Sequence, residues 1–270
     1  MIQHTSGIHD VPESDYHGDR RSLSVSGMKK LMDCPARFRW EQDNPPIHKD
    51  AYDFGTVAHE LILGKGAGYR VLDFDSWRSK DAREAKEQAH ADGVTPILTG
   101  DHQKALNLAE AVKADPTVAG MLSSGAPEKA LYGKHEDTGV TLRGRADWIT
   151  AKADGTPVVV DIKTCASARP DAIDRAMSDF GYAPQAAHYI ELMRQNGHDN
   201  AEFWFVFVEK AEPHLVTLAH AGEDALEYGR AFVEKAIRLY AECEATGHWP
   251  AYPIHEATVK PWAWKDIDEA

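Results

Sequence analysis

Apolar residues recur at helical spacing through most of the first half of the chain, with polar residues on the opposite positions. Ser24 or Ser26 is the expected N-cap of the first helix, Pro35 interrupts it, and Gly64 closes the second. Asn44-Pro45-Pro46 predicts a break between these two helices. The predicted helices cover residues 22–40, 53–63, 79–91 and 102–114.

The second half changes to β-type patterning, with runs of β-branched and aromatic residues separated by turn signals. The segment 153–157 is a turn signal between two such runs and predicts a β-hairpin. Strands are expected at 128–132, 140–151, 157–164, 201–209 and 214–219, and helices at 170–179, 184–196 and 223–246, the last one ending at Gly247. Helices followed by a meander of strands predict an α/β fold with a helical N-terminal layer.

The predicted domain organisation is a single globular unit preceded by an arm. Residues 1–21 are polar and lack periodicity, which favours a flexible or peripheral N-terminal arm. Residues 22–270 then form one domain, with a helical part at 22–125 and a catalytic core at 126–250, before a Pro/Trp-rich tail.

Composition excludes several classes of protein. A hydrophobic content of 43% and a charged content of 27% are those of an ordinary globular protein. No apolar run reaches transmembrane length, and no signal segment is expected at residues 1–11, so we expect no membrane partner. Three widely spaced cysteines, Cys34, Cys165 and Cys243, argue against a disulfide framework and for a cytoplasmic location.

The net charge of −13 disfavours non-specific nucleic-acid binding, which depends on contacts to phosphates. A DNA-processing protein of this charge needs its cations concentrated in one place, or bound divalent ions that offset its carboxylates. On charge alone, a solvated surface without a DNA partner is the better interpretation. The cations available for a local patch are Arg20, Arg21, Lys29, Lys30, Arg37, Arg39, Arg143, Arg145, Lys163 and Arg169.

The most informative chemistry lies on the predicted hairpin. Asp147 and Asp161 can point at one spot from neighbouring strands, and Lys163 lies on the same face as Asp161. Converging carboxylates repel each other unless a cation lies between them, and oxygen ligands favour Mg²⁺ or Mn²⁺. Solvent-facing strand charges are the alternative, but Asp161 follows three valines in a run expected to be buried. The arrangement favours metal-assisted hydrolysis of a phosphodiester.

Other candidates are weaker. His59 lies one helical turn after Gly55, a residue that would let the helix approach the sheet, although a lone histidine is more often structural. Glu128 could add a carboxylate or be an exposed loop residue. Gln185 and Tyr189 share a helix face that could contact DNA or simply pack. Further candidates for DNA contact are Arg37, Arg145 and Thr164, for which solvated polar groups are the alternative.

In order along the chain, these motifs resemble the PD-(D/E)XK nuclease superfamily. Within it they are most similar to RecB-like and RecE-type (exodeoxyribonuclease VIII-like) exonucleases of phages and bacteria. The matching segments are Cys34-Pro35, Gly55-x-x-x-His59, Glu128, Gly144-Arg145-Ala146-Asp147, Asp161-Ile162-Lys163 and Gln185-x-x-x-Tyr189, and they span most of the chain, roughly 22–249.

The resemblance implies a restriction-endonuclease-like core, a central mixed sheet flanked by helices. It implies that His59, Asp147, Asp161 and the Ile162 carbonyl bind Mg²⁺, with Mn²⁺ able to substitute. Lys163 would position or activate the attacking water, with Glu128 as a further catalytic carboxylate. Gln185 and Tyr189 would form part of the DNA-facing wall.

The resemblance also implies an activity. The chain lacks the C-terminal cysteine cluster of relatives with an iron–sulfur cluster, so no such cluster is expected, and it lacks a P-loop. These absences favour a stand-alone RecE-like enzyme that degrades linear double-stranded DNA 5′→3′ from its ends. It would form a ring-like trimer or tetramer and pass 3′ single strands to a RecT-like annealing protein. The alternatives are a structure- or sequence-selective endonuclease and an inactive DNA-end-binding scaffold.

Overall fold

The computed structural model describes residues 5–44 and 53–252. The helices are α1 (Glu13–Gly18), α2 (Val25–Asp33), α3 (Pro35–Asp43), α4 (Asp53–Leu63), α5 (Lys80–Ala91), α6 (Thr99–Ala114), α7 (Pro116–Leu122), α8 (Pro170–Asp179), α9 (Tyr182–Gln195) and α10 (Glu223–Thr246). The strands are β1 (Gly7–His9), β2 (Leu23–Ser24), β3 (Tyr69–Leu72), β4 (Thr95–Leu98), β5 (Ala126–Lys134), β6 (Thr141–Ala151), β7 (Pro157–Cys165), β8 (Glu202–Glu209) and β9 (Val216–Ala219).

The core of the fold is a seven-stranded mixed sheet with the order β1-β5-β6-β7-β8-β9, to which β2 adds beside β6. The pairs β7–β8 and β2–β6 are parallel, and the other pairs of this sheet are antiparallel. β6 and β7 form the predicted antiparallel hairpin. The structure therefore confirms the predicted α/β class, with a central mixed sheet flanked by helices.

Helices cover both faces of the sheet, and successive side chains of β7 pack against the helices of opposite faces. Val158, Val160 and Ile162 pack in one hydrophobic cluster with α4, α6 and α7. Val159 belongs to the other cluster, which contains residues of α2, α3, α9 and α10. Because side chains alternate along a strand, Asp161 is on the same face as Val159 and points towards α9.

The predicted elements of the second half agree with the structure to within a few residues. In the first half, the predicted helix 22–40 is two helices, because Cys34 is extended and Pro35 begins α3. Ser24 is the N-cap of α2, and its side chain accepts a hydrogen bond from the Gly27 N–H. The helical part at 22–125 also contains a small parallel sheet of β3 and β4 that was not predicted. The proposed division at residue 126 stays a prediction.

Residues 5–21, which the sequence predicted to be a flexible or peripheral arm, pack at the edge of the sheet. β1 pairs with β5 at the sheet edge, and α1 buries Tyr16 against it. The guanidinium carbons of Arg143 and Arg145 lie 4.9 and 5.8 Å from the centre of the Tyr16 ring. Six-residue α1 is too short for a periodic signal. Its packing depends on Tyr16, which is buried with Val11, Ala130 and Tyr132 and lies near two guanidinium groups. Residues 1–4, most of the break near residue 45, and the Pro/Trp-rich tail lie outside the described residues.

No helix within residues 5–44 and 53–252 has both the length and the apolar character needed to cross a bilayer. The three cysteines are free thiols, with Cys34 and Cys243 buried.

Helix α9 packs behind the hairpin and carries a fully buried histidine, His188. Its Nε2 lies 2.8 Å from the carbonyl oxygen of Arg143 in β6, so Nε2–H is the donor. Burial outweighs this hydrogen bond and lowers the pKa of His188 to about 4.

We expect His188 to cause acid destabilisation. In the unfolded chain it takes up a proton near pH 6.5, whereas in the folded chain it stays neutral to about pH 4. The free energy of unfolding should fall by about 3 kcal/mol as the pH drops through this window. Denaturant melts of wild type and His188→Gln between pH 4 and 7 measure this loss. An equal pH slope in both proteins would contradict the prediction.

Candidate active site

The candidate site lies where β6 and β7 separate. Their last backbone pair is Trp148 with Val160, so Asp147 and Asp161 occupy the next register position, just past the ladder. The Asp147 carboxylate takes over the role of a ladder partner there, because its Oδ2 accepts the Ile162 N–H at 2.7 Å. β7 continues beside β8 through this region. The predicted hairpin thus places Asp147 and Asp161 opposite each other on neighbouring strands.

Three side chains at this point form a set of possible metal ligands. One donor atom each from His59, Glu128 and Asp147 lies within 4.8 Å of the others. His59 reaches in from α4, with Nδ1 3.5 Å from Asp147 Oδ2 and Nε2 2.7 Å from the Ile162 carbonyl oxygen. Helix α4 therefore brings the imidazole to both a carboxylate and the carbonyl that were expected to share a metal.

Glu128 reaches the site through an unusual backbone conformation. Its neighbours Pro127 and Lys129 pair with Trp148 and Ala146, so Glu128 stands opposite Asp147 in the register of β5 and β6. Its φ is +55°, in the left-handed region that non-glycine residues rarely adopt. A carboxylate at this strained position also pairs with the Arg145 guanidinium. Backbone strain of this kind is often found at functional sites.

The donor set fits a divalent cation. Burial is the main cause that raises the pKa of Asp147 to about 6, and Asp161 adds to the rise. A cation at this position would favour the ionised carboxylate and offset the repulsion. Carboxylate and carbonyl oxygens suit Mg²⁺ and Mn²⁺, and an imidazole is a better ligand for Mn²⁺ than for Mg²⁺. The residues therefore fit the metal that the resemblance implies.

Asp161 lies beside this set but not in it. Its Oδ1 accepts a hydrogen bond from Gln185 Nε2 at 2.6 Å, and its Oδ2 is 2.6 Å from Lys163 Nζ. Both oxygens thus already have partners. A role for Asp161 as a metal ligand stays a prediction.

Lys163 is held by the Asp161 carboxylate, and the charge of Asp147 also acts on it. Burial disfavours its charged form, but Asp161 and Asp147 outweigh that effect and raise the pKa of Lys163. Its Nζ also lies 5.2 Å from the centre of the Tyr182 ring. An ammonium fixed in this way provides a localised positive charge next to the donor set.

The predicted DNA-facing roles of Gln185 and Tyr189 are corrected by the structure. Both side chains are buried, at 8% and 6% exposure. Gln185 orients Asp161, whereas the Tyr189 hydroxyl accepts the Arg145 N–H at 2.8 Å and donates to the Arg145 carbonyl at 2.7 Å. The hydroxyl satisfies backbone groups in the gap that opens where β6 and β7 diverge. Both residues therefore support the site from behind.

Of the remaining candidates for DNA contact, two line a cleft and one does not. Arg145 and Thr164 line a cleft of about 880 Å³ that contains His59, Glu128 and Lys163. Arg37 is not among the lining residues, and it binds Asp33 and the Tyr252 hydroxyl instead. Gly55 also lines the cleft, but a Cβ there would meet only Thr164 Oγ1, at 3.8 Å, so glycine is not needed for a close approach. Its effect is to leave the cleft wall open.

Most of the cations that were candidates for a local basic patch are paired with acids. Cations and acids that pair are Lys30 with Glu41, Arg37 with Asp33, Arg39 with Asp43, Arg143 with Asp19, Arg145 with Glu128, Lys163 with Asp161, and Arg169 with Asp171. Seven of the ten candidate cations therefore have an acidic partner among the described residues.

Several cleft residues were not predicted. The lining includes Glu13, His17, Lys65, Phe180, Tyr182 and Lys210. Glu13 and His17 lie on α1, in a segment without periodicity, so no sequence signal indicated them. Tyr182 lies three residues before Gln185, close to one turn of the same helix, and this spacing was the available signal.

Residues 24–257 match the family described as a PDDEXK-like domain of unknown function (DUF3799). The chain belongs to this PDDEXK-like family. The match covers most of the chain, so it confirms the superfamily that the ordered motifs indicated and assigns the chain a nuclease fold.

One solved structure supports the fold. The PDDEXK-like chain is similar to a putative exonuclease from Eubacterium rectale, with a TM-score of 0.65, 15% sequence identity, and coverage of 94% of this chain and 96% of that one. A phage-related exonuclease from Haemophilus somnus 129PT also aligns, with a TM-score of 0.34, 11% identity, and coverage of 84% and 96%. No curated protein matches the chain.

Proposed function

We propose that this protein is a divalent-metal-dependent deoxyribonuclease that degrades linear double-stranded DNA from its ends. The observation that carries the proposal is the open cleft lined by Lys163, His59 and Glu128, the last two of which form a donor set with Asp147. The charge of Asp147 also acts on the Lys163 ammonium. Hydrolysis of a phosphodiester needs a cation near the phosphate and charge stabilisation as the transition state forms, and this cleft offers residues for both.

His59, Glu128, Asp147 and the Ile162 carbonyl would hold the metal, Mg²⁺ or Mn²⁺. The bound ion would lower the pKa of a water molecule and shield the scissile phosphate. Asp161 holds the Lys163 ammonium at 2.6 Å, and Gln185 fixes the Asp161 carboxylate in turn. Lys163 then stabilises the negative charge that builds on the phosphate and orients the attacking water.

Arg145 and Thr164 lie on the cleft wall, where they can contact the DNA backbone. Lys210 also lines the cleft and has no ion-pair partner within the described ranges. A few cleft cations next to a bound divalent ion would attract phosphate despite the net charge of −13. A closed ring of three or four copies would keep DNA in the site between cuts. The proposal includes this ring and digestion in the 5′→3′ direction. It also includes transfer of the 3′ strand to an annealing protein, and a cytoplasmic location.

The test uses linear and circular duplexes of one sequence, with the linear form labelled at either its 5′ or its 3′ ends. With Mg²⁺ or Mn²⁺, we expect loss of linear DNA only, and early release of the 5′ label as short products. A chelator should stop the reaction. Cutting of the circle would instead favour an endonuclease, and binding without cleavage in both metals would favour an inactive end-binding scaffold. Light scattering on the same preparation measures the number of copies in the assembly.

A further inference from the structure

The turn between α8 and α9 carries an exposed aromatic residue at the mouth of the cleft. Phe180 is 62% exposed, yet it lies at the C-terminus of α8 and lines the same cleft as Lys163. Exposed phenylalanine is costly in water unless something covers it. The proposed nuclease function leaves this residue without a role.

Phe180 is the outer member of a row of aromatic rings. Its ring centre is 5.7 Å from that of Tyr182, with 33° between the planes. Tyr182 in turn contacts Phe205 at 5.3 Å and Phe207 at 5.8 Å inside the core. The row therefore begins in the sheet and ends at an aromatic ring that is open to the cleft. A flat aromatic ligand can extend such a row by offset stacking.

The turn that presents Phe180 is well fixed. Gly181 has φ +61° and ψ +48°, a left-handed conformation that suits glycine. Lys29 Nζ from α2 donates to the Phe180 carbonyl at 2.6 Å, and a Cβ at Gly181 would meet Lys29 Cε at 2.9 Å. A ring held on a fixed backbone loses little conformational entropy when it binds a ligand.

Space for a ligand lies beside this ring. Ala172 and Ala176 precede Phe180 by eight and four residues, so the three share one face of α8 and all line the cleft. Two small side chains followed by a large aromatic one leave a recess next to the ring. Lys163 Nζ is 5.2 Å from the Tyr182 ring centre, so this recess adjoins the site of the proposed chemistry.

We propose that Phe180 forms a stacking subsite for a nucleobase of the strand whose phosphate lies at Lys163. This inference rests on the proposed nuclease function. Stacking on an aromatic side chain tolerates any base, because every base has a π-face, so the subsite would add affinity without sequence preference. It would also explain how an acidic protein holds DNA, since stacking does not depend on positive charge.

The experiment measures binding apart from cleavage. Linear duplexes carry the fluorescent base 2-aminopurine at one of the first positions from the duplex end, in either strand. Ca²⁺ replaces Mg²⁺ to slow hydrolysis. Wild type should change the 2-aminopurine emission at one or two positions. Phe180→Ala should lose that change and raise the Kd about tenfold or more, whereas Phe180→Trp should keep both. Tyr228→Ala is the matched control, because Tyr228 is 64% exposed on α10 and does not line the cleft.

In Mg²⁺, Phe180→Ala should raise KM more than it lowers kcat, since the ring contributes to binding. Unchanged emission, Kd and KM in Phe180→Ala would overturn the stacking subsite while leaving the nuclease proposal intact. A change in oligomeric state without a change in 2-aminopurine emission would assign Phe180 to a contact between copies and would also overturn it. A wild-type protein that neither binds nor cuts DNA would refute both proposals.

Discussion

Asp161→Asn and Lys163→Met are expected to lower the rate of DNA hydrolysis by about a thousandfold each. Asp161 holds Lys163 Nζ at 2.6 Å, and the ammonium has no other acidic partner in direct contact among the described residues. Asparagine preserves the shape at Asp161 but loses the charge that fixes Lys163. Methionine preserves the length of Lys163 but removes the charge that would stabilise the transition state.

The measurement is the initial rate on end-labelled linear duplex, with circular dichroism melts to check folding. Lys152→Ala is the matched control, because Lys152 lies just past β6 in the same hairpin and makes an exposed ion pair with Glu202. Exposed pairs of this kind contribute little to stability, so this variant should behave as wild type. Wild-type rates in both Asp161→Asn and Lys163→Met would contradict the assignment of the active site.

Asp147→Asn is expected to abolish the stabilisation of the protein by divalent metal. Metal that binds only the folded state at one hundred times its Kd stabilises by about 2.7 kcal/mol. For a chain of this size that energy corresponds to a rise in Tm of about 5–10 °C. The variant loses the central carboxylate of the donor set, so Mn²⁺ and Mg²⁺ should leave its Tm unchanged.

The same variant should melt at a higher temperature than wild type when a chelator is present. Burial disfavours the ionised Asp147 carboxylate, as its raised pKa shows, and a neutral amide avoids that cost. Asparagine can still accept the Ile162 N–H, so the hairpin contact is kept. Glu202→Gln is the control, because Glu202 begins β8 beside the turn of the hairpin, far along the strands from Asp147. An equal metal-dependent rise in Tm for Asp147→Asn and wild type would show that the ion binds elsewhere.

The positions of Asp147, Asp161 and Lys163 on the hairpin were predictable because they depend on local pattern. The turn signal at 153–157 specifies the hairpin, and strand alternation places Asp161 and Lys163 on one face. Gln185 and Tyr189 were recognised as part of the site, but their role was misjudged. Spacing shows which helix face they share, and it does not show whether that face meets DNA or the back of the sheet.

The sequence by itself determined the α/β class, the hairpin with its two aspartates and lysine, and the helix that carries His59, since each follows from periodicity or turn chemistry. Only the tertiary structure decided which acid completes the donor set with His59 and Asp147. Glu128 does so because of its left-handed backbone and the register of β5 against β6, and no periodicity in the sequence specifies either. It likewise decided that α1 packs on the sheet and that Phe180 opens onto the cleft, since both depend on contacts between residues far apart in the chain.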